Sequence, residues 1–76
     1  MEKEEFIKNI SNALDNPDPS IITMDTVLKD IEGYGSLSAL MVILMIDEDY
    51  NVTITGDDLR NLNTIGDLYT FVKSNK

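Results

Sequence analysis

From Leu37 to Ile46 only Ser38 breaks a run of apolar side chains, and the run begins directly after Gly33-Tyr34-Gly35-Ser36. Wound as a helix of about 3.6 residues per turn, residues 37–50 place Leu37, Ala39, Leu40, Met41, Val42, Ile43, Leu44, Ile46 and Tyr50 around nearly the whole circumference. Only Ser38, Asp47, Glu48 and Asp49 are left clearly polar. Such a helix has to sit at the centre of a fold. It also carries more apolar surface than a small core can hide, and the excess predicts a docking face.

The neighbours of this helix are read from spacing and punctuation. Phe6, Ile7, Ile10, Ala13 and Leu14 recur at helical intervals among Lys3, Glu4, Lys8, Asn9 and Asn12, which predicts an amphipathic first helix over 3–15. Asn16-Pro17-Asp18-Pro19 ends it, because proline lacks a donor and pushes the preceding residue out of helical geometry. Residues 20–34 read as a long loop tied down by Ile21, Ile22, Met24, Val27, Leu28 and Ile31, with a short helical turn around 26–30. Val52-Thr53-Ile54 alternates like a strand but has no partner, so an extended linker is expected.

Thr55 and Asp58, then Thr64 and Asp67, repeat the spacing of a capping box with Asp in place of Glu. They predict a short third helix over 56–60 and a fourth over 65–74, whose Ile65, Leu68, Phe71 and Val72 face inward. The class is therefore all-α: a small four-helix bundle with a long first loop and a short third helix. At 76 residues the chain reads as one domain, 1–76, and as a monomer. A chain this short buries roughly 60% of its unfolded surface, which leaves no room for an enclosed multi-residue active site.

Composition excludes much chemistry. The chain has no His and no Cys, so imidazole bases, thiol nucleophiles, Cys/His metal sites, disulfides and a Ser-His-acid triad are absent. Its acidic residues lack the burial that would tune them for acid-base work, and an enzyme is not expected. Fourteen acidic against six basic residues give a formal charge of −8, which repels nucleic acid and anionic membranes and steers basic protein patches inward. Met1-Glu2-Lys3-Glu4-Glu5 does not resemble a secretory signal, and the apolar run is half a membrane span. The expectation is a cytoplasmic protein without stable membrane insertion.

Ser36 stands at the head of the central helix and admits two readings. At an N-cap position its oxygen satisfies a free amide of the first turn. The same helix end also favours a phosphate, so a phosphodiester built on the Ser36 hydroxyl would sit in a compatible field, with Gly35 leaving the approach open and Leu37 and Met41 forming an apolar patch beside it.

Gly35-Ser36-Leu37, led in by Ile31-Glu32-Gly33-Tyr34 and followed by Ile46-Asp47-Glu48-Asp49-Tyr50 and Thr64-Ile65-Gly66-Asp67-Leu68, resembles the acyl carrier proteins over essentially the whole chain. The resemblance implies that Ser36 receives 4'-phosphopantetheine from coenzyme A through a phosphopantetheinyl transferase. It further implies that the arm delivers acyl thioesters to enzymes of fatty acid, polyketide or related biosynthesis. Leu37 and Met41 are the expected apolar anchors for partners with basic patches, and Asp47, Glu48, Asp57 and Asp58 the acidic rim. Two positions depart from the family pattern. Its usual aspartate before the serine is Gly35, and a glutamate common on the recognition helix is Met41. These departures imply an atypical carrier with unusual partners.

Two alternatives compete with that reading. Asp47, Asp49 and Asn51, with Asp58 at position twelve, echo a calcium loop, but Val52 stands where that loop needs glycine and position twelve lacks the long bidentate glutamate, so no metal site is expected. The other is an unmodified acidic helical module that docks a basic partner through the second helix, with Ser36 as a cap. For the apolar positions Leu44, Ile46, Tyr50, Ile54, Leu59, Leu62, Leu68 and Val72, plain core is the expectation.

Overall fold

A computed structural model describes residues 3–14, 19–31 and 33–75. Four helices follow one another: α1 (Lys3–Ala13), α2 (Ser36–Tyr50), α3 (Gly56–Asn61) and α4 (Ile65–Asn75), with short 3-10 turns at Pro19–Ile21 and Leu28–Asp30. Among the described residues there is no β-strand, as the all-α reading expects. The proposed breaker at residues 16–18 lies outside the described residues, as do Asp15 and Glu32.

The helices close on a core built from one stripe of each. Phe6 and Ile10 of α1, Val42, Ile46 and Tyr50 of α2, Leu59 of α3, and Ile65, Leu68, Tyr69 and Val72 of α4 are buried. Spacings of four along α1 and α2 put these side chains on one face. Phe6 is the hub of the aromatic part, with its ring 5.6 Å from that of Tyr50 and 5.3 Å from that of Tyr69, the latter edge-on. Asn9 of α1 donates a 2.8 Å hydrogen bond to the Tyr50 hydroxyl and fastens α1 to the end of α2.

α2 stops at Asn51, which adopts the left-handed conformation (φ 56°) and donates its N–H to the Asp47 carbonyl at 3.1 Å. The linker that follows is extended, as its alternation implies: Val52 and Ile54 are buried while Thr53 is exposed. α3 then starts with a complete capping box. Asp58 N–H donates to Thr55 Oγ1 at 3.1 Å and Thr55 N–H to Asp58 Oδ2 at 3.2 Å. It runs one residue beyond the expected end, to Asn61. The start of α4 repeats the device, with Asp67 N–H to Thr64 Oγ1 at 3.0 Å and Thr64 N–H to Asp67 Oδ2 at 3.2 Å.

The long first loop is held by backbone pairing that the sequence did not announce. Val27 and Thr64 form an isolated antiparallel bridge, Leu28 N–H reaches the Asn63 carbonyl at 2.9 Å, and Ile65 N–H reaches the Thr26 carbonyl at 3.0 Å. Gly66 N–H bonds the Met24 carbonyl at 2.8 Å, and a Cβ on residue 66 would lie 3.0 Å from that same oxygen, a tight contact that glycine relieves. The loop is thereby latched onto the α3–α4 corner, with Leu28 buried beneath it. The expected helical turn in this loop is shorter than 26–30, a 3-10 turn of Leu28–Asp30.

Two expectations fail. Leu44, assigned to the core, is 47% exposed. The buried stripe of α2 passes through Val42, Ile46 and Tyr50, and Leu44 falls on the opposite side. Ser36 is not the N-cap of α2 either. Gly35 holds that position in extended geometry, and Ser36 is the first helical residue.

Candidate functional site: the entry of the central helix

Local geometry explains why the hydroxyl of Ser36 is bare. Gly33 takes a left-handed turn (φ 80°) and Tyr34 N–H closes onto the Ile31 carbonyl at 3.0 Å, so the chain swings into α2 through Gly35. Gly35 has no side chain to cap the helix, and no side-chain capping hydrogen bond forms there. Ser38, one turn in, donates its hydroxyl to the Gly33 carbonyl at 3.2 Å and ties the loop to the helix. Ser36 is exposed, and among the described residues no hydrogen bond engages its side chain. Of the two serines, one braces the turn and the other faces outward.

Ser36 and Gly35 also line a pocket of about 380 Å³ between the loop, α2 and α3. Leu28, Ala39, Leu40, Ile43, Leu59 and Leu62 form its apolar wall, Tyr34 one flank, and Lys29 and Arg60 its charged members. That volume is within the about 300–1,000 Å³ typical of small-molecule sites. Burial pushes the Tyr34 phenol above its ordinary value of 10.0, so it stays neutral near neutral pH. Ideal Cβ placement at Gly35 meets nothing within 4 Å, leaving the hydroxyl approachable from that side.

The expected docking residues divide into two groups. Leu37 (73% exposed) and Met41 (43% exposed) lie one turn apart on α2, joined on the surface by Leu40 and Leu44. This is the apolar excess that the sequence requires. Asp47 and Glu48 are exposed in the last turn of α2. On α3 the acids have other duties: Asp57 pairs with Arg60, and Asp58 is half-buried in its capping box. The calcium-loop spacing does not become a loop, because Asp47 and Asp49 are inside the helix. Among the described residues no three acidic side chains gather to hold a metal ion. No described helix is long and apolar enough to cross a membrane.

An outward hydroxyl at a helix start, an open glycine beside it and an adjoining apolar pocket suit covalent attachment of a prosthetic arm. A family model described as "Phosphopantetheine attachment site" matches residues 5–72. The chain is 27% identical to an acyl carrier protein of Exiguobacterium sibiricum over 97% of this chain and 98% of the relative. It is 30% identical to an acyl carrier protein of Aster yellows witches'-broom phytoplasma over 93% of each. A meromycolate extension acyl carrier protein of Mycobacterium leprae is 30% identical over 93% of this chain and 64% of its own length. The chain belongs to the acyl carrier protein family, defined by its phosphopantetheine attachment site. It is a carrier of acyl groups in biosynthesis and not an enzyme.

Proposed function

We propose that Ser36 is the attachment point of 4'-phosphopantetheine in a single carrier domain of residues 1–76, and that the protein works in the cytoplasm. The observation that carries this reading is the exposed, uncapped Ser36 hydroxyl opening onto the pocket. Its oxygen would form a bond to phosphorus of the coenzyme A pyrophosphate as the bond to the 3',5'-ADP portion breaks. The hydroxyl proton passes to a base on the transferase, since this chain holds no His or Cys to take it. Once attached, the arm supplies the terminal thiol on which acyl groups ride as thioesters, the chemistry that a cysteine-free chain lacks.

The chain's own residues contribute position. Ser38 and Gly33 fix the turn that presents Ser36, and the wall from Leu40, Ile43 and Leu59 offers shelter to apolar cargo. Leu37 and Met41 seat the transferase and the acyl-transferring enzymes, while Asp47 and Glu48 steer their basic patches. Asp57 and Asp58 add charge to that field from α3, with their carboxylates already engaged locally.

Incubation with coenzyme A and a broad-specificity phosphopantetheinyl transferase should raise the intact mass by one phosphopantetheine unit, and Ser36→Ala should show no gain. No gain on the parent, including with the transferase of the source organism, would favour the unmodified docking module, to which Gly35 and Met41 lend themselves.

A further inference from the structure

We infer that Lys29 and Arg60 hold the phosphodiester of the arm at the mouth of the pocket beside Ser36, an inference that rests on the carrier reading above. The chain carries fourteen acidic and six basic residues, yet the charged residues lining this pocket are Lys29 and Arg60, with no Asp or Glu among them. A third of the basic residues thus converge on one opening from segments far apart in sequence, the 3-10 turn within the long loop and α3. The others, Lys3 and Lys8, Lys73 and Lys76, belong to α1 and to α4 and the chain end. Ser36 lines the same opening, so a phosphate bonded to its oxygen lies where both charged lining residues are basic, on an otherwise acidic protein.

Arg60 also pairs with Asp57, which is not part of the lining. A guanidinium has five N–H donors in a fork, so one carboxylate contact leaves donors for a phosphate oxygen. Lys29 brings a mobile point charge on a flexible stem, suited to a group that arrives after folding. The root of the arm is thereby fixed over the pocket instead of trailing from the helix end.

The test compares unloaded and loaded protein for the parent, Lys29→Gln, Arg60→Gln and the double variant, with loading verified by intact mass. In the loaded parent, the phosphodiester phosphorus resonance should move as salt rises from about 0.01 M to about 1 M, over which screening shortens from about 30 Å to about 3 Å. In the loaded double variant it should not move. The change in Tm on loading should be more favourable in the parent than in the double variant by about 3 °C, the scale of exposed charge pairs in a domain this small. The parent alone also reports, through side-chain NMR signals of Lys29 and Arg60 that shift on loading. A parent that loads but shows a salt-independent phosphorus signal, unmoved Lys29 and Arg60 signals and the same Tm response as the double variant overturns this inference alone. A parent that never gains mass overturns the carrier reading, and this inference with it.

Discussion

The start of α2 and the starts of α3 and α4 solve the same problem in opposite ways. At α3 and α4 a threonine and an aspartate three residues later bond each other's backbone, so amides left free by the first turn are satisfied by side chains. At α2 the cap is a glycine, no side chain caps a first-turn amide there, and the serine that follows leaves its hydroxyl exposed. Capping gives α3 and α4 their definition. A serine held in its own cap would be a poorer nucleophile, because its oxygen would already be accepting an amide. The contrast separates helix ends closed by side-chain caps from one left without such a cap, where the proposed attachment serine stands exposed.

The strongest way to break this contrast is Ser36→Ala. Loading should be lost completely while stability changes by no more than about 0.5 kcal/mol, as is usual for surface substitutions, because the hydroxyl makes no capping bond. A large fall in Tm would show that Ser36 is structural after all. Next in size is the apolar face beside it. Leu37→Ser and Met41→Ser should each weaken delivery to a partner enzyme by about tenfold, about 1.4 kcal/mol, read as a rise in KM for the loaded carrier, with Tm unaltered.

On the capped side, Thr55→Ala and Thr64→Ala should each cost about 1 kcal/mol. In a domain of this size that lowers Tm by about 4–8 °C. Loading of Ser36 should proceed at the parent's rate, and a matching loss of loading would mean the two kinds of helix start are coupled. Gly35→Asp sharpens the comparison from the other direction, since a Cβ at residue 35 meets nothing within 4 Å and the new carboxylate can cap the turn. The expected gain is a few tenths of a kcal/mol. Mass gain should also be faster than in the parent, as expected where the transferase uses a carboxylate beside its target serine.

The smallest effect belongs to the aromatic cluster far from the site. Burial chiefly raises the Tyr50 phenol above its ordinary value of 10.0, while the bond from Asn9 works against the shift. A raised folded-state value means that the fold favours the neutral phenol. This contribution is complete below pH 10 and is lost as pH rises through the folded value. Tm of the parent should therefore fall more steeply above pH 10 than that of Tyr50→Phe, as thermal melts across that range will show.

Much of this was legible in the chain because the signals are local. The threonine–aspartate spacings announced both capped starts, Gly33 and Gly35 marked the end of the long loop, and an apolar run too long for one face announced the exposed patch of Leu37 and Met41. The two failures have separate causes. Preference tables rank serine above or level with glycine as a cap, so a Gly35-Ser36 pair reads one residue late, and only the loop geometry moves the cap to Gly35. A helix apolar on all sides gives no direction for its buried stripe, which is why Leu44 was assigned inward. The bridge of Val27 to Thr64, and the meeting of Lys29 and Arg60 at one pocket, arise from packing between distant segments and leave no mark in spacing.

The central claim is that the outward oxygen of Ser36, and not that of Ser38 two residues on, takes the arm. Proteolysis of the loaded protein followed by fragmentation of the peptide spanning Gly33 to Asp47 tests it most directly. The added mass should localise to Ser36, with Ser38 unmodified because its hydroxyl is tied to the Gly33 carbonyl. Localisation to Ser38, or a fully loaded Ser36→Ala protein, would contradict the account.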